Sequence, residues 1–453
     1  MAQGVVEGVT DINGCGEGTS RELLLPHDAV YRPPDDGSAV NVQEQASWYF
    51  ILAVCSVGFF INCQPSEPYL SLYLETVKNM SDTNLERSVW PADTYATLVA
   101  LPLVGLLAEV LGYRAVIAAG LACREATRLI LIFGTGVGPM VAMQITYAAA
   151  TSVNVVYFAY VYMVFRQVDY QRATACIHAA YHVGNALGSG LGQVLVTYGK
   201  WPLLRLFYLS LAFTTMGVLC FVFLLPKPRH KAPASLARMV LEDGPRLALR
   251  QLRDLYNMRV LQWTLWWLLG YSMQQIIANY YAVQFTDRDQ GGAFGVVELI
   301  MEIGAALGSI VPSLVRASLD PWTTPVLLAT SVIKGVVWLL TTVVMTALAS
   351  YSFNTAAFAI NAFQEATGSA VIASSLRHSR YAVVFTANAF AALAISSVVL
   401  ALGTATNLTT DGYFRLCAIV QFTFVAVYVP VSWWLLRRDR HIHADSDAGV
   451  LAS

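Results

Sequence analysis

The chain has 453 residues, 56% of them hydrophobic and 13% charged, where soluble domains run to about 45–50% apolar and about 25% charged. With a mean hydropathy of +0.53, its apolar runs are too long and too many to be the core helices of a soluble protein, which excludes ordinary soluble classes. A formal net charge of −1 gives no ground for expecting nucleic acid as a partner. The seven cysteines are odd in number, scattered and mostly inside apolar runs, so they read as small packing residues rather than a disulfide or zinc framework.

In chain order, residues 1–46 come first. They are polar and rich in Gly, Pro, Asp and Glu, and no apolar core follows the initial Met; the segment is expected to be disordered and is no signal peptide. Apolar runs then fall at 47–75, 90–110, 112–134, 138–165, 173–198 and 202–225, each long enough to span a bilayer as a helix. A polar interval at 226–257 carries Lys227, Arg229, Lys231, Arg238, Arg246, Arg250 and Arg253. Six more runs follow, at 258–285, 293–316, 323–347, 351–376, 381–404 and 412–436, before a polar tail at 437–453. The expected fold is an all-α polytopic membrane protein of about twelve spans in two six-helix halves, the layout of a major facilitator transporter.

The positive-inside rule places the basic interval in the cytoplasm. Arg114, Arg166, Arg172, Arg377 and Arg380 fall in even-to-odd connections, and Arg437, Arg438 and Arg440 begin the tail, so both termini are expected inside. The glycosylation sequons at Asn79 and Asn407 then face outward, as they must. No P-loop, HExxH or GxSxG motif is present, which favours movement of a solute over bond chemistry. A receptor or non-transporting sensor with many helices is the reading from a different class.

Ionisable residues inside spans mark functional candidates. They are Glu67 in span 1, Asp93 in span 2, Arg124, Glu125 and Arg128 in span 3, Glu298 and Glu302 in span 8, and Glu365 in span 10. Arg124/Arg128 and Glu298/Glu302 are both i,i+4 pairs, and a structural ion network between the halves is one reading of them. Glu67 sits in Pro65-Ser66-Glu67-Pro68. Prolines break the helical ladder, and broken backbone at membrane depth is tolerated where it lines a watery cavity. Glu67 therefore either faces a central site or pairs with an arginine to hold an outer gate.

Polar and aromatic residues add detail. In span 4, Asn154, Tyr157 and Tyr160 recur at i, i+3, i+6, and span 7 carries Gln274, Gln275, Asn279 and Tyr280. Aromatic faces with a few amides suit a flat heteroaromatic solute or a cation, although such stripes also serve packing. Gly184, Gly188 and Gly192 repeat every fourth residue of span 5, which lets helices approach closely. His178 and His182, one turn apart, suit proton handling or hydrogen bonding better than a metal.

Several ordered stretches carry a resemblance. The run PSEPYLSLYLETVKNMS, the segment DYQRATACIHAAYHVGNALGSGLGQVLVTYG, the WTLWW that opens span 7 and the RYAVVFTANAF of span 11 resemble the reduced folate carrier and thiamine transporter family. That resemblance implies uptake of a small B-vitamin across a lipid bilayer by alternating access, with a coupling proton or counter-anion and no cofactor. Folate-type carriers place basic residues where Asn154 and Ser396 stand, and thiamine-type carriers place Glu where Asn154 stands. The PSEP motif, Tyr157, Tyr160, Asn279, Tyr280 and Glu298 resemble the thiamine, cation branch. Arg128 stands in place of a family Trp and Asp93 near an aromatic position, and an Arg128–Asp93 pair is the expected replacement. The resemblance thus implies a substrate site of Glu67, Asp93, Arg128, Asn154, Tyr157, Tyr160, Asn279, Tyr280 and Glu298. A folate or other organic anion, held by Arg124 and Arg128, is the alternative.

Overall fold

The structure is a computed structural model that describes residues 37–81, 84–226, 256, 258–289, 294–314, 322–376 and 380–451. Among the described residues every regular element is helical. Residues 1–36 and nearly all of the basic interval expected at 226–257 lie outside them.

Span 1 comprises Gly37–Asn62 and, after a break, Leu70–Thr76. Spans 2 to 6 are Trp90–Leu111, Tyr113–Phe133, Val137–Val164, Tyr170–Thr197 and Leu203–Leu224. Spans 7 to 12 are Met258–Arg288, Phe294–Leu314, Thr323–Val343, Ala347–Ser375, Tyr381–Ala405 and Thr410–Leu451. The outermost helices exceed their expected limits. Span 1 begins at Gly37 rather than 47, and span 12 continues to Leu451 rather than stopping near 436, because residues such as Gln, Glu, Ala, Arg and Leu extend an existing helix at little cost. Gly112 (φ 88°) and Gly136 (φ 85°) make the tight turns on either side of span 3, where a left-handed backbone favours glycine.

Eight of these helices are long and apolar enough to cross a membrane by length and composition. Spans 3, 5, 7 and 10 fall short of that measure because they carry the charged, amide and histidine side chains that turn inward. Span 5 packs on spans 8 and 10, while spans 2 and 4 pack on span 11. The junction between the halves therefore has matched 2–11 and 5–8 contacts, as expected of two similar six-helix bundles.

The break in span 1 has a specific chemical cause. Pro65 has no N–H to offer the Ile61 carbonyl, so that acceptor would be left bare in the core. Gln64 Nε2 (2.5 Å) and Arg124 Nη1 (3.1 Å) donate to it instead. The chain continues through a single 3-10 turn, Glu67–Tyr69, with the Ser66 N–H donating to Ser210 Oγ at 3.0 Å. The glycine stripe of span 5 lies against this bare backbone: a Cβ on Gly184 would stand 2.5 Å from the Phe59 carbonyl oxygen, and one on Gly188 2.6 Å from the Gln64 nitrogen.

The two ends of the bundle differ. At the end bearing Arg114 and Arg166, the halves are joined by hydrogen bonds. The Tyr170 and Tyr381 hydroxyls lie 2.8 Å apart, the Ala382 N–H donates to Tyr113 Oη at 2.9 Å, and Gln167 Nε2 donates to the Ser374 carbonyl at 2.7 Å. At the opposite end Asn79 and Asn407 are exposed, each in a left-handed turn (φ 52° and 53°) that Asn tolerates better than most residues. Bonds there stitch each half to itself: Lys78 Nζ donates to the Ile132 and Gly134 carbonyls, and Arg288 pairs with Asp411 at 2.7 Å.

Candidate functional site

A cavity of about 380 Å³ lies between the halves. Each half contributes a stacked aromatic pair to its wall. Phe158 of span 4 and His178 of span 5 stack with ring centroids 4.4 Å apart, and Trp267 and Tyr271 of span 7 stack at 4.7 Å. Two carboxylates also line it, Glu302 of span 8 and Glu365 of span 10. Among the described residues no Lys or Arg does.

Glu302 is held across the junction. His182 Nδ1 of span 5 lies 2.6 Å from Glu302 Oε2, and Asn185 Nδ2 donates to Oε1 at 3.3 Å. Glu365 shares its helix face with Asn361, one turn earlier, which also lines the cavity. Behind Asn361 stands Lys334 of span 9, fully buried, with Nζ donating to Asn361 Oδ1 at 3.1 Å and lying 5.2 Å from the centre of the Trp338 ring. The floor is Tyr162, which stacks on Phe385 of span 11, accepts a hydrogen bond from Thr174 Oγ1, and adjoins the Tyr170–Tyr381 pair that closes the basic end.

Asn154 lines this cavity, and its Oδ1 accepts from Arg124 Nη2 at 3.3 Å. Tyr157 and Tyr160, expected beside it, do not reach it. Tyr157 is buried and donates to the Val54 carbonyl at 2.6 Å, and Tyr160 is buried and donates to the Pro226 carbonyl. The reason is helical phase: at about 100° per residue, i+3 falls about 60° short of Asn154 and i+6 about 120° short. The cavity face of span 4 runs instead through Asn154, Phe158 and Tyr162.

The other expected residues divide. Asp93 and Asn279 line a second cavity, toward the sequon end. Tyr280 stacks on Tyr413 of span 12, ring centroids 4.2 Å apart, and lines neither cavity. Glu298 sits one turn from Glu302 and also lines neither. Glu67 pairs with an arginine: Arg128, 1% exposed, donates to Glu67 Oε1 at 2.8 Å and reaches Ser66 Oγ at 3.4 Å. The expected Arg128–Asp93 pair is thus replaced by Arg128–Glu67, because the break in span 1 brings the carboxylate over span 3. Among the described residues the two i,i+4 pairs do not bond to each other as an ion network, since Arg128 pairs with span 1 and Glu302 with span 5. Lys334 is not among the residues that the sequence pattern singles out. A lone lysine within the apolar run SVIKGVVWLL was the available signal.

With this geometry in place, comparison with known proteins identifies the family. The family model described as "Reduced folate carrier" matches residues 46–235 and 233–424. The chain belongs to the reduced folate carrier family. Relatives of this carrier include Folate transporter 1 of Caenorhabditis elegans, 26% identical over 385 residues, covering 78% of this chain and 84% of that one. Thiamine transporter 1 of Homo sapiens is 26% identical over 457 residues, covering 84% and 90%. Among solved structures, the fold of the carrier is similar to the outward conformation of the major facilitator transporter FucP (TM-score 0.64, 14% identity, 83% of this chain and 98% of that one). It is similar also to the human organic anion transporter MFSD10 (TM-score 0.63, 14% identity, 88% and 100%). The carrier is therefore a multi-pass membrane protein with a major facilitator fold, and its family and fold are those of transporters.

Proposed function

We propose that this carrier moves thiamine, or a related cationic heteroaromatic vitamin, across the plasma membrane by alternating access. One observation carries the reading: the aromatic cavity is lined by Glu302 and Glu365 and, among the described residues, by no lysine or arginine. Stacked rings hold a flat cation by their faces, and carboxylates in a partly desolvated cavity favour positive charge and oppose a dianion. The basic-loop end is cytoplasmic and the sequon end extracellular, with both termini inside, in keeping with the arginine distribution. The halves 47–225 and 258–436 rock about the cavity, whose hydrogen-bonded tyrosine floor closes it from the cytoplasm.

A folate or other organic anion is the second reading, favoured by Arg124, which bonds Asn154 directly behind the cavity wall. Labelled thiamine and folate, supplied in parallel to cells expressing the chain, separate the two. Saturable thiamine uptake, lowered at least tenfold in Glu365→Gln at equal surface expression, supports the cation reading. Saturable folate uptake without thiamine uptake overturns it.

A further inference from the structure

The second cavity, of about 350 Å³, adjoins the first on its sequon side. Thr151, Val155, Tyr271, Gln275 and Ala389 line both, so the two volumes meet at a common waist. Their chemistry differs. The first offers aromatic planes and two carboxylates. In the second, span 2 supplies Thr94 and Thr97, span 4 Ser152, span 11 Ser396 and Ser397, and span 7 the amide of Asn279. Among the described residues its single charged group is Asp93, whose Oδ1 is shielded from solvent and has no hydrogen-bond partner. A shielded carboxylate oxygen is unfavourable until a donor reaches it.

We propose that this second cavity is a subsite for a donor-rich tail on the transported molecule. The substrate class is a flat heteroaromatic cation extended by a side chain bearing hydroxyl or amino groups. This rests on the proposed reading that the ring lies in the first cavity. The tail passes the waist at Gln275 and sets its donors against Asp93 and the surrounding hydroxyls. A hydroxyl or ammonium satisfies Asp93. A carboxylate or phosphate tail meets a like charge with no basic residue in the described wall to offset it, and an alkyl tail leaves the polar lining unpaired.

The test uses two sets of analogues with one heteroaromatic cation and tails of equal length, either alkyl or carrying hydroxyl or amino groups. Binding to the purified full-length chain is read by quenching of tryptophan fluorescence, since Trp267 lines the ring cavity, and inhibition of labelled thiamine uptake is read in cells. The donor-bearing analogues are expected to bind about tenfold tighter than the alkyl ones, the size of one charge-assisted hydrogen bond. In Asp93→Asn the gap should fall below about threefold, with Ser397→Ala intermediate. Equal binding of both sets by the unaltered chain, a gap that survives Asp93→Asn, or no binding of any analogue overturns the subsite. Absence of thiamine binding and uptake, with the tail preference intact, overturns the proposed vitamin but not the subsite.

Discussion

Glu67 and Arg128 show how one charged pair is placed by a break in a helix. Pro65 and Pro68 unwind span 1, Arg124 repairs the bare Ile61 carbonyl, and Arg128, one turn further along span 3, takes the Glu67 carboxylate. Removing a single partner strands the other. In Glu67→Gln the guanidinium of Arg128 remains 1% exposed without its counter-charge, at a cost of up to about 3–5 kcal/mol, discounted because Glu67 is one-third open to solvent. Glu67→Gln is therefore expected to lose most surface expression, and the double variant Glu67→Gln/Arg128→Met to recover it. Surface biotinylation measures both, and normal expression of the single variant would show that the pair does not stabilise the fold. Asn154 supports a second prediction. A glutamate there gains Arg124 as a partner while adding negative charge at the cavity wall, whereas an arginine stands beside Arg124 with like charge. Asn154→Glu should preserve or improve thiamine uptake, and Asn154→Arg should lower it at least tenfold, about 1.4 kcal/mol in affinity terms. Folate uptake by the arginine variant with an inert glutamate variant would place the carrier on the anion branch.

At the scale of helices, the twelve apolar runs and their division around a basic interval were legible because bilayer thickness dictates span length. The PSEP break was legible for the same reason that it exists, the missing proline donors. Which face of each helix meets the cavity was much less so. The i, i+3, i+6 stripe of span 4 looked coherent in sequence, yet only Asn154 reaches the cavity, since three-residue steps drift round the helix and tertiary partners at Val54 and Pro226 claim Tyr157 and Tyr160. Lys334 was missed because one polar residue in an apolar run carries no periodicity. The spacing of the span 5 glycines marks a packing stripe, but their partner, the unwound backbone of span 1, is a long-range fact absent from local pattern. Because Gly188 touches that backbone rather than a movable side chain, overpacking there should cost about 1–3 kcal/mol. Gly188→Val is expected to lower the melting temperature of the purified carrier by several degrees, as read by intrinsic fluorescence, while Gly138→Val, where a Cβ meets nothing within 4 Å, should leave it nearly unchanged. Equal melting of the two variants would remove the close approach as a source of stability.

For the whole molecule, sidedness and closure are linked: the end where the halves are bonded together is also the end that carries Arg114 and Arg166. If the basic interval is cytoplasmic, an epitope inserted between 226 and 257 should bind antibody only after permeabilisation, and labelling of intact cells would invert the orientation. Alternating access then requires the bonded end to part so that solute can leave. Gln167, in the connection before span 5, donates to the Ser374 carbonyl at the end of span 10, so the two positions adjoin in this state and belong to different halves. Cysteines at both, joined by a short bifunctional maleimide, should hold the halves together there. The described native thiols Cys55, Cys63, Cys123, Cys176, Cys220 and Cys417 are buried or partly buried, and the single-cysteine variants control for their reaction. Because both cavities lie on the sequon side of the tether, the cross-linked carrier should still bind thiamine, with tryptophan quenching near that of the untreated protein, yet lose net uptake by at least tenfold. Loss of binding together with uptake would mean that the cavity is reached from the bonded end. Unchanged uptake after complete cross-linking would mean that the Gln167–Ser374 contact survives the transport cycle and that the halves part elsewhere.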